Sequence, residues 1–426
     1  MVSMLKFCII LLLVRPSLLL ADEKDFFKDI VSAFPTVDPQ HAYQDYCKYS
    51  WVTCSNNTVT AIELKDIALH QKLPSSITEL SELKKLSIIG CFIEVNWDDI
   101  NKLKNLIALT LSSNSFSGKI PRISVPLKYL DLSCNEFTQF PDEFPESLEE
   151  INLDKNKLSG DFASVNFKLE KLSILKIRYN SLTGGLPDFI KNSASLIYLD
   201  ISYNSFTNFP ENFPSSLHIL GLSNNKIFAD FGSIDCKFTR LISLNLHANQ
   251  LTGSIPECIN ELEDLLILNL GRNNLSGDLS SFIFPDTLDM INLSHNKFTG
   301  HLPDSIFSKK RSYINLSHNN FTGNIPNITF IESVKIIDLS YNNLTGEIPD
   351  LSHAVKLNEL YLNNNNLEIN CKNKNFGNTL LKPNTCYLHN NIILEKDCQS
   401  SLCLHNISEP VTALPDLNSF TFDVGI

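Results

Sequence analysis

The chain has 426 residues, of which 43% are hydrophobic and 19% are charged, and its formal net charge is −12. This acidic balance makes nucleic acid and anionic membrane surfaces poor partners, so we expect neither. The length would accommodate two or three ordinary domains, and the internal organisation therefore has to decide the domain count.

Residues 1–21 have the pattern of a secretory signal peptide. Lys6 precedes an apolar run that ends at Ala21, and acidic residues begin at Asp22. A membrane anchor is the alternative, but Arg15 and Pro16 break the run below spanning length, and no other segment reaches that length. We therefore expect a protein that is secreted or held at the extracellular face of the cell. Cleavage would bring the net charge to about −14.

Residues 22–58 are predicted to form an N-terminal cap. Apolar residues recur at helical spacing between Asp25 and Phe34, which indicates a helix that covers the end of a core. Cys47 and Cys54 flank Trp51 and are the expected disulfide of this cap.

Residues 59–370 repeat one motif, L-x-x-L-x-L-x-x-N, as in Leu106, Leu109, Leu111 and Asn114. About fourteen coils can be counted, of which one ends in Cys91 and the first reads as a capping strand beginning at Val59. The other twelve end in an asparagine, and these asparagines follow one another at steps of 21, 23 or 24 residues: Asn114, Asn135, Asn156, Asn180, Asn204, Asn225, Asn249, Asn273, Asn296, Asn319, Asn342 and Asn365.

The motif dictates a fold. The L-x-L core has period two, so its leucines face inward from a short strand, and stacked coils share one core. The asparagine amide is expected to bind main-chain groups where the chain turns inside that core. After the asparagine, segments such as Leu251 to Pro256 read L-T-G-S-I-P, which predicts a short extended piece and a 3₁₀ turn on the return arm. We therefore predict a solenoid with a concave parallel sheet.

These repeats resemble the plant-type leucine-rich repeat family, whose members carry L-x-x-L-x-L-x-x-N-x-L-[ST]-G-x-I-P. The 21-residue repeats, as between Asn135 and Asn156, depart from that pattern because they lack the glycine. The N-terminal cap resembles that of plant receptor ectodomains. It is closer still to that of the kinetoplastid promastigote surface antigen group, which are secreted or surface leucine-rich repeat proteins.

The remaining cysteines divide between a cap and the coils. Residues 371–408 are predicted to be a C-terminal cap stapled by disulfides of open connectivity, and 409–426 a loose tail. The cysteines of that cap are Cys371, Cys386, Cys398 and Cys403. Cys236 and Cys258 lie on the return arms of adjacent coils. The spacing of the coils is compatible with a disulfide between them, and two free thiols are the alternative. Cys91 and Cys134 are two coils apart and are predicted to be buried thiols.

The chain also carries N-glycosylation sequons. The eight sequon asparagines are Asn56, Asn274, Asn292, Asn315, Asn320, Asn327, Asn343 and Asn406. Asn292 and Asn315 sit between inward leucine-type positions, so we expect their side chains to be exposed on the concave sheet. Glycans there would exclude a partner and would confine a ligand to residues 85–250.

No phosphate loop, zinc-binding helix or nucleophile elbow is present, so we expect no enzymatic activity, no cofactor and no metal site. His295 and His318 occupy equivalent positions in adjacent coils, but no third metal ligand accompanies them. We therefore interpret them as ordinary variable residues of the repeat, which we call filler, and not as a metal site. The candidate ligand-binding residues are those that depart from filler on the predicted concave face: Glu150, Asn152, Asp154, Lys176, Arg178, Tyr198 and His247. The charged members lie on adjacent strands and have two open interpretations, ion pairing with each other or anchoring of a partner.

The sequence thus predicts an extracellular leucine-rich repeat protein that binds another protein or a glycan through its concave face. Two alternatives are an inhibitor of a secreted hydrolase, which the resemblance to plant polygalacturonase-inhibiting proteins would imply, and a structural component of a surface coat. A truncated signalling receptor is a further alternative. The sequence does not determine the oligomeric state.

Overall fold

A computed structural model describes residues 21–33, 46–67, 70–209, 213–234, 236–307, 309–328, 331–351, 354–369 and 385–393. These residues belong to two compact units. The first comprises residues 1–183 and 187–196, and the second comprises residues 184–186 and 197–426, within the described ranges. The signal peptide, apart from its last residue, and the C-terminal tail lie outside the described residues.

The first unit begins with the predicted cap. Helix Ala21–Ala33 is followed by a 3₁₀ turn, Tyr46–Lys48, and by an antiparallel pair of strands, Val52–Ser55 and Thr58–Lys65. Phe27 is buried and stacks on the ring of Tyr46 with centroids 4.5 Å apart. A disulfide joins Cys47 to Cys54. Helix, aromatic cluster and disulfide together cover the first leucine coil, as a terminal coil requires.

From Thr58–Lys65 onward the sheet of the first unit is parallel, with one strand per coil. Its further strands are Lys85–Ile89, Ala108–Thr110, Tyr129–Asp131, Glu150–Asn152 and Ile174–Lys176.

The second unit repeats the same design in a parallel sheet of nine strands. They are Tyr198–Asp200, Ile219–Gly221, Ser243–Asn245, Ile267–Asn269, Met290–Asn292, Tyr313–Asn315, Ile336–Asp338, Glu359–Tyr361 and Thr385–Tyr387.

Each three-residue strand of the two sheets turns its middle residue and the residue after its end into the core. Leu109 and Leu111 are fully buried, and so are Leu268 and Leu270 in the second unit. The residues between them lie on the opposite side of the sheet, which we call the non-core face. The period-two prediction is therefore confirmed.

The asparagine that ends each coil bonds to main-chain groups of two coils. The Nδ2 of Asn135 donates to the carbonyl oxygens of Leu111, at 2.9 Å, and of Leu132, at 3.0 Å, while its Oδ1 accepts from the N–H of Phe116. The residue before each asparagine has positive φ, for example 55° at Cys134. This left-handed residue bends the chain inward, and the amide satisfies the main-chain groups exposed by the bend.

The return arms are short, as predicted. The described α-helices among them span a single turn each: Trp97–Ile100, Asp188–Lys191 and Asp304–Phe307. The 3₁₀ helices are Ser75–Glu79, Phe162–Ser164, Phe231–Ser233, Glu257–Glu261 and Ile331–Ser333. The arm strands are Ser117–Lys119, Glu136–Gln139, Ser159–Asp161, Ser181–Thr183, Ser276–Asp278, Lys297–Thr299, Thr322–Gly323, Asn343–Glu347, Asn366–Ile369 and Ile392–Ile393.

The repeat continues past residue 370, where the sequence placed its end. Strand Thr385–Tyr387 pairs in parallel with Glu359–Tyr361, and Cys386 fills a buried leucine position. Asn391 is a further ladder residue, because its Nδ2 donates to the carbonyl oxygens of Leu362 and Leu388, each at 2.9 Å. The boundary was misplaced because cysteine replaces leucine in the motif. Cys386 is disulfide-bonded, and Cys371, Cys398 and Cys403 lie outside the described residues.

The cysteines of the coils have two different states. Cys236 and Cys258 are joined by a disulfide between adjacent return arms, with Cα atoms 5.8 Å apart. Cys91 and Cys134 are free thiols, but only Cys91 is buried. The prediction of a buried thiol is wrong for Cys134, because the positive-φ slot before a ladder asparagine points the side chain partly to solvent.

Candidate functional site

Four of the predicted ligand-binding residues form two ion pairs on the non-core face of the first unit. Strands Glu150–Asn152 and Ile174–Lys176 are neighbours in register. The Nζ of Lys176 lies 3.1 Å from Oε1 of Glu150, and both side chains are about 30% exposed. This pair is therefore accessible to a partner.

The second pair is more buried. The carboxylate of Asp154 accepts from the main-chain N–H of Arg178 at 2.6 Å and from its Nε at 2.8 Å. The Asp154 side chain is only 7% exposed. Asn152 supports this turn, because its Oδ1 accepts from the N–H of Asp154 at 3.1 Å. Asp154 therefore positions Arg178 and has little surface of its own for a ligand, whereas Asn152 is partly exposed.

Two tyrosines flank these pairs, and sequence reasoning missed Tyr129. Tyr129 is 46% exposed and lies opposite Glu150 in the neighbouring strand. Tyr179 is 41% exposed, and the Nζ of Lys155 lies 5.8 Å from its ring centroid. Tyr129 occupies the first strand position and Tyr179 the positive-φ position. The available signal for Tyr129 was an aromatic residue at a strand position that faces away from the core.

The remaining two predicted residues belong to the second unit. Tyr198 begins the first strand of that unit and lies opposite Ile219. His247 follows strand Ser243–Asn245 and is half-buried, and burial together with the positive charge of Arg272 lowers the pKa of His247 to about 4. His247 is therefore neutral at ordinary pH.

The expectation that Asn292 and Asn315 are exposed is wrong. Their side chains lie on the non-core face, but they are buried, with exposures of 1% and 5%. Each Oδ1 accepts from the main-chain N–H and from the hydroxyl of the serine two residues later, Ser294 or Ser317. The amides therefore lie flat against the sheet, which leaves no room for a glycan. Because these two asparagines have no room for a glycan, the expectation that glycans confine the ligand to residues 85–250 is also wrong.

The other described sequons lie at surface positions, and their glycosylation stays a prediction. The exposed sequon asparagines are Asn56, Asn274, Asn320, Asn327 and Asn343. Asn406 lies outside the described residues.

Three rings form a stack in the positive-φ slots of the second unit. The centroids of His295 and His318 are 4.0 Å apart, and those of His318 and Tyr341 are also 4.0 Å apart. Burial and the charges of His318 and Arg272 lower the pKa of His295 to about 4. The two histidines are thus a neutral stacking pair in the described structure.

A family model for the Leucine Rich Repeat matches six segments of the chain, residues 126–146, 195–215, 240–262, 287–308, 312–329 and 333–353. Together with the parallel strands and the asparagine ladder, these matches decide the fold. The chain is a leucine-rich repeat solenoid.

Among known proteins, the solenoid is similar to plant receptors. It is 30% identical to Receptor-like kinase TMK2 of Arabidopsis thaliana, over 58% of this chain and 27% of the receptor. It is 32% identical to Receptor-like protein 54 of the same plant, over 42% of this chain and 23% of the relative. Mouse lumican is 32% identical over 39% of this chain and 49% of lumican. The aligned part thus spans about a quarter of the length of the plant receptors and about half of lumican.

Solved structures share the fold. A leucine-rich repeat protein of Leptospira interrogans superposes with a TM-score of 0.59 and 26% identity, over 80% of this chain and 92% of that one. The plant peptide hormone receptor RGFR1, solved in complex with RGF2, has a TM-score of 0.55 and 24% identity, over 72% of this chain and 58% of the receptor. Within the described ranges of the solenoid, no helix has the length and apolarity needed to cross a bilayer.

Proposed function

We propose that the solenoid binds an extracellular protein or glycan through the non-core face of its first unit. The contact surface consists of the Glu150–Lys176 pair, the positioned Arg178 and the two flanking tyrosines, Tyr129 and Tyr179. We call this surface the first-unit patch.

One observation carries the proposal. The first-unit patch combines partly exposed charges of both signs with two exposed tyrosines on neighbouring coils of one face. Tyrosine and arginine are the residues that most often dominate binding energy at interfaces. Salt-bridged side chains at such a surface can exchange their partner for one on the ligand, at little cost because exposed pairs are weak.

The relatives support the same class of function. The two plant relatives are named as a receptor-like kinase and a receptor-like protein, and the RGFR1 structure is that of a plant peptide hormone receptor in complex with RGF2. Secretion, or retention at the cell surface, is part of this proposal, and so is the absence of catalysis. The resemblances to kinetoplastid surface antigens and to polygalacturonase inhibitors stay predictions.

The test uses the full-length chain purified from culture medium as bait for proximity labelling at the cell surface. A partner found in this way is then titrated against single variants, Lys176→Glu and Tyr129→Ala. Each should weaken binding by roughly tenfold, since a contact residue at a desolvated position contributes on the order of 1–3 kcal/mol. Arg178 is left intact, because it holds the buried carboxylate of Asp154.

Lys119→Glu is the matched control. Lys119 forms an exposed ion pair with Asp142 in the same unit, but on a return arm. Its reversal should leave the affinity unchanged. If Lys119→Glu weakens binding as much as Lys176→Glu, the effect is one of net charge and the first-unit patch is not the site.

The same experiment distinguishes the two alternative functions, an inhibitor of a secreted hydrolase and a structural component of a surface coat. If the captured partner is a secreted hydrolase and loses activity in the complex, the protein is an inhibitor. If labelling recovers no saturable partner and the chain is abundant at the surface, it is a coat component and the proposal falls.

A further inference from the structure

Two buried side chains on the non-core face of the second unit belong to glycosylation sequons. Asn292 ends strand Met290–Asn292 and Asn315 ends strand Tyr313–Asn315, and a serine follows each asparagine two residues later. The exposed fractions of the two asparagines are 1% and 5%. An N-linked oligosaccharide is bulky and belongs at a surface. The fold therefore buries two amides that the sequence marks for modification.

The folded structure occupies both polar groups of each of these sequons. Oδ1 of Asn292 accepts from the hydroxyl of Ser294 at 2.7 Å and from its main-chain N–H at 3.0 Å. Asn315 and Ser317 make the same two bonds, at 2.7 Å and 3.0 Å. The amide and the hydroxyl are the two groups that define the acceptor motif. Because the fold holds them against each other and away from solvent, only the unfolded chain can be modified at these positions.

The described coils leave no space for a sugar beside either Nδ2. The amide of Asn292 lies over the backbone of Gly271 in the adjacent coil, where even a Cβ would lie 2.9 Å from Nδ2 and 3.0 Å from Oδ1. Nδ2 of Asn315 donates to the hydroxyl of Tyr313 at 3.2 Å, and Tyr313 is itself 2% exposed. A sugar on either nitrogen would displace its own strand from the sheet. A modified chain therefore cannot adopt the folded second unit.

Other coils of the solenoid make the same kind of bond without a sequon. In three coils an aspartate ends the strand, and its carboxylate accepts from the N–H of the serine two residues later at 2.9 or 3.0 Å. These aspartates are Asp131, Asp200 and Asp338. The coil of Asn269 keeps the asparagine, but Gly271 takes the place of the serine. Hydrogen bonding at this position thus needs no sequon, and among the described coils the combination occurs only at Asn292 and Asn315.

Exposed sequons of the same unit provide an internal comparison. Asn274, Asn320 and Asn343 each directly follow a ladder asparagine, and all three are exposed. Asn320 comes soon after Asn315 in the chain. The same stretch of unfolded chain therefore presents one acceptor that the fold leaves in solvent and one that the fold buries.

We propose that glycosylation of Asn292 or Asn315 competes with folding of the second unit, so that only chains left bare at both positions are secreted. In the modification, Nδ2 bonds to the anomeric carbon of an oligosaccharide, the bond from that carbon to a lipid pyrophosphate breaks, and the amide loses one proton. A modified strand leaves the leucine positions of adjacent coils uncovered, because each coil is stabilised by its neighbours. The inference rests on the proposed secretion, since the lipid-linked donor is met on that route.

The test is expression of the full-length chain in cultured eukaryotic cells, followed by glycopeptide mapping of the secreted and the cell-retained protein. The secreted protein should carry glycans at exposed sequons such as Asn274 and Asn320, and none at Asn292 or Asn315. The retained protein should include chains modified at Asn292 or Asn315, and limited proteolysis should cut those chains within the second unit. A glycan at either buried position in secreted, protease-resistant protein would overturn the proposal.

One variant removes both buried sequons and keeps their asparagines. Ser294→Gly with Ser317→Gly copies the coil in which Gly271 follows Asn269. It should raise the ratio of secreted to retained protein, because modification at these positions no longer diverts any chain. When synthesis of the lipid-linked donor is blocked, the variant should lose this advantage over wild type. An advantage that persists without the donor would be a purely structural effect and would count against the proposal.

A second variant covers the case in which the glycines themselves impair folding. Asn292→Asp with Asn315→Asp copies the coil of Asp131, and it should also raise the ratio of secreted to retained protein. Asn320→Asp with Asn343→Asp is the matched control, because it removes two exposed sequons of the same unit, and it should not raise the ratio. The proposal is wrong if the control gives an equal increase, or if neither buried-sequon variant gives one.

These outcomes are separable from those of the proposed function. A glycan at Asn292 or Asn315 in secreted protein would remove this inference and leave extracellular binding standing. Equal loss of partner binding in Lys176→Glu and Lys119→Glu would remove the first-unit patch and leave this inference standing. Absence of glycans from every sequon, together with absence of secreted protein, would overturn both.

Discussion

Asp154 binds Arg178 twice, through the main-chain N–H at 2.6 Å and through Nε at 2.8 Å. The same coils are joined by a main-chain bond from the N–H of Lys155 to the carbonyl oxygen of Arg178 at 2.7 Å. The pair thus links two successive coils at the point where each strand ends. Glu150 and Lys176, on the same two strands, form an ion pair that solvent reaches.

Arg178→Ala should therefore destabilise the protein by about 1–3 kcal/mol, because it leaves the largely buried carboxylate of Asp154 with one partner fewer. Lys176→Ala should cost less than about 1 kcal/mol, since its pair is half-exposed. Urea unfolding followed by circular dichroism measures both. Equal losses would show that the two pairs do not differ in burial as the structure indicates.

Asn225→Leu should be among the most damaging single changes in the second unit. The amide of Asn225 donates to the carbonyl oxygens of Ile201 and Leu222 and accepts from the N–H of Phe206. Leucine would leave these buried groups unpaired, at a cost of at least about 2 kcal/mol. Lys226→Ala, at the exposed next residue, should change the free energy of unfolding by less than about 0.5 kcal/mol. A similar effect of both would mean that the ladder register is wrong.

Asp338→Asn should remove a pH dependence of stability. Burial, and secondarily the charge of Glu359, raise the pKa of Asp338 to about 6, above its ordinary value of 3.8, despite hydrogen bonds from Ser340 and Ser317. The folded state then binds the proton more tightly than the unfolded state, so wild-type stability falls as pH rises from about 4 to about 6. Asparagine fits, because Asn315 makes the same bonds to a following serine. The variant should gain about 1–3 kcal/mol over wild type at pH 7 and nothing at pH 3.

That difference is read from urea unfolding of both proteins across the pH range. A gain that is the same at pH 3 and pH 7 would show that Asp338 ionises normally.

His295→Asn should reduce destabilisation by acid. Burial first, and then the charges of His318 and Arg272, hold the pKa of His295 at about 4, below its ordinary 6.5. The unfolded state therefore takes up the proton first, and stability is lost as pH falls from about 6.5 to about 4. Asparagine tolerates this positive-φ slot, as Asn224 shows with φ of 53°. Melting temperatures at pH 7 and pH 4.5 should differ less in the variant than in wild type, and an unchanged difference would contradict the pKa shift.

The sequence by itself determined the fold class, the register and the role of the ladder asparagines. These features depend on local spacing, and a period-two leucine pattern with a recurring amide has one physical solution that neighbouring coils repeat. The sequence-based prediction of the end of the repeat was wrong because it depended on the same local pattern. Cys386 occupies a position where that pattern requires leucine.

The tertiary structure decided everything that depends on the residue in the adjacent coil. The sequence placed Asn292 at an outward slot, but whether that slot is exposed depends on Gly271 beside it and on the serine two residues later. It listed Glu150 and Lys176 as candidates, but only the register of their strands shows that they pair, and only the neighbouring strand brings Tyr129 beside them. Burial and pairing on a sheet are set by side chains about 4.8 Å away across strands, which are some 20 residues distant along the chain, and no local pattern encodes them.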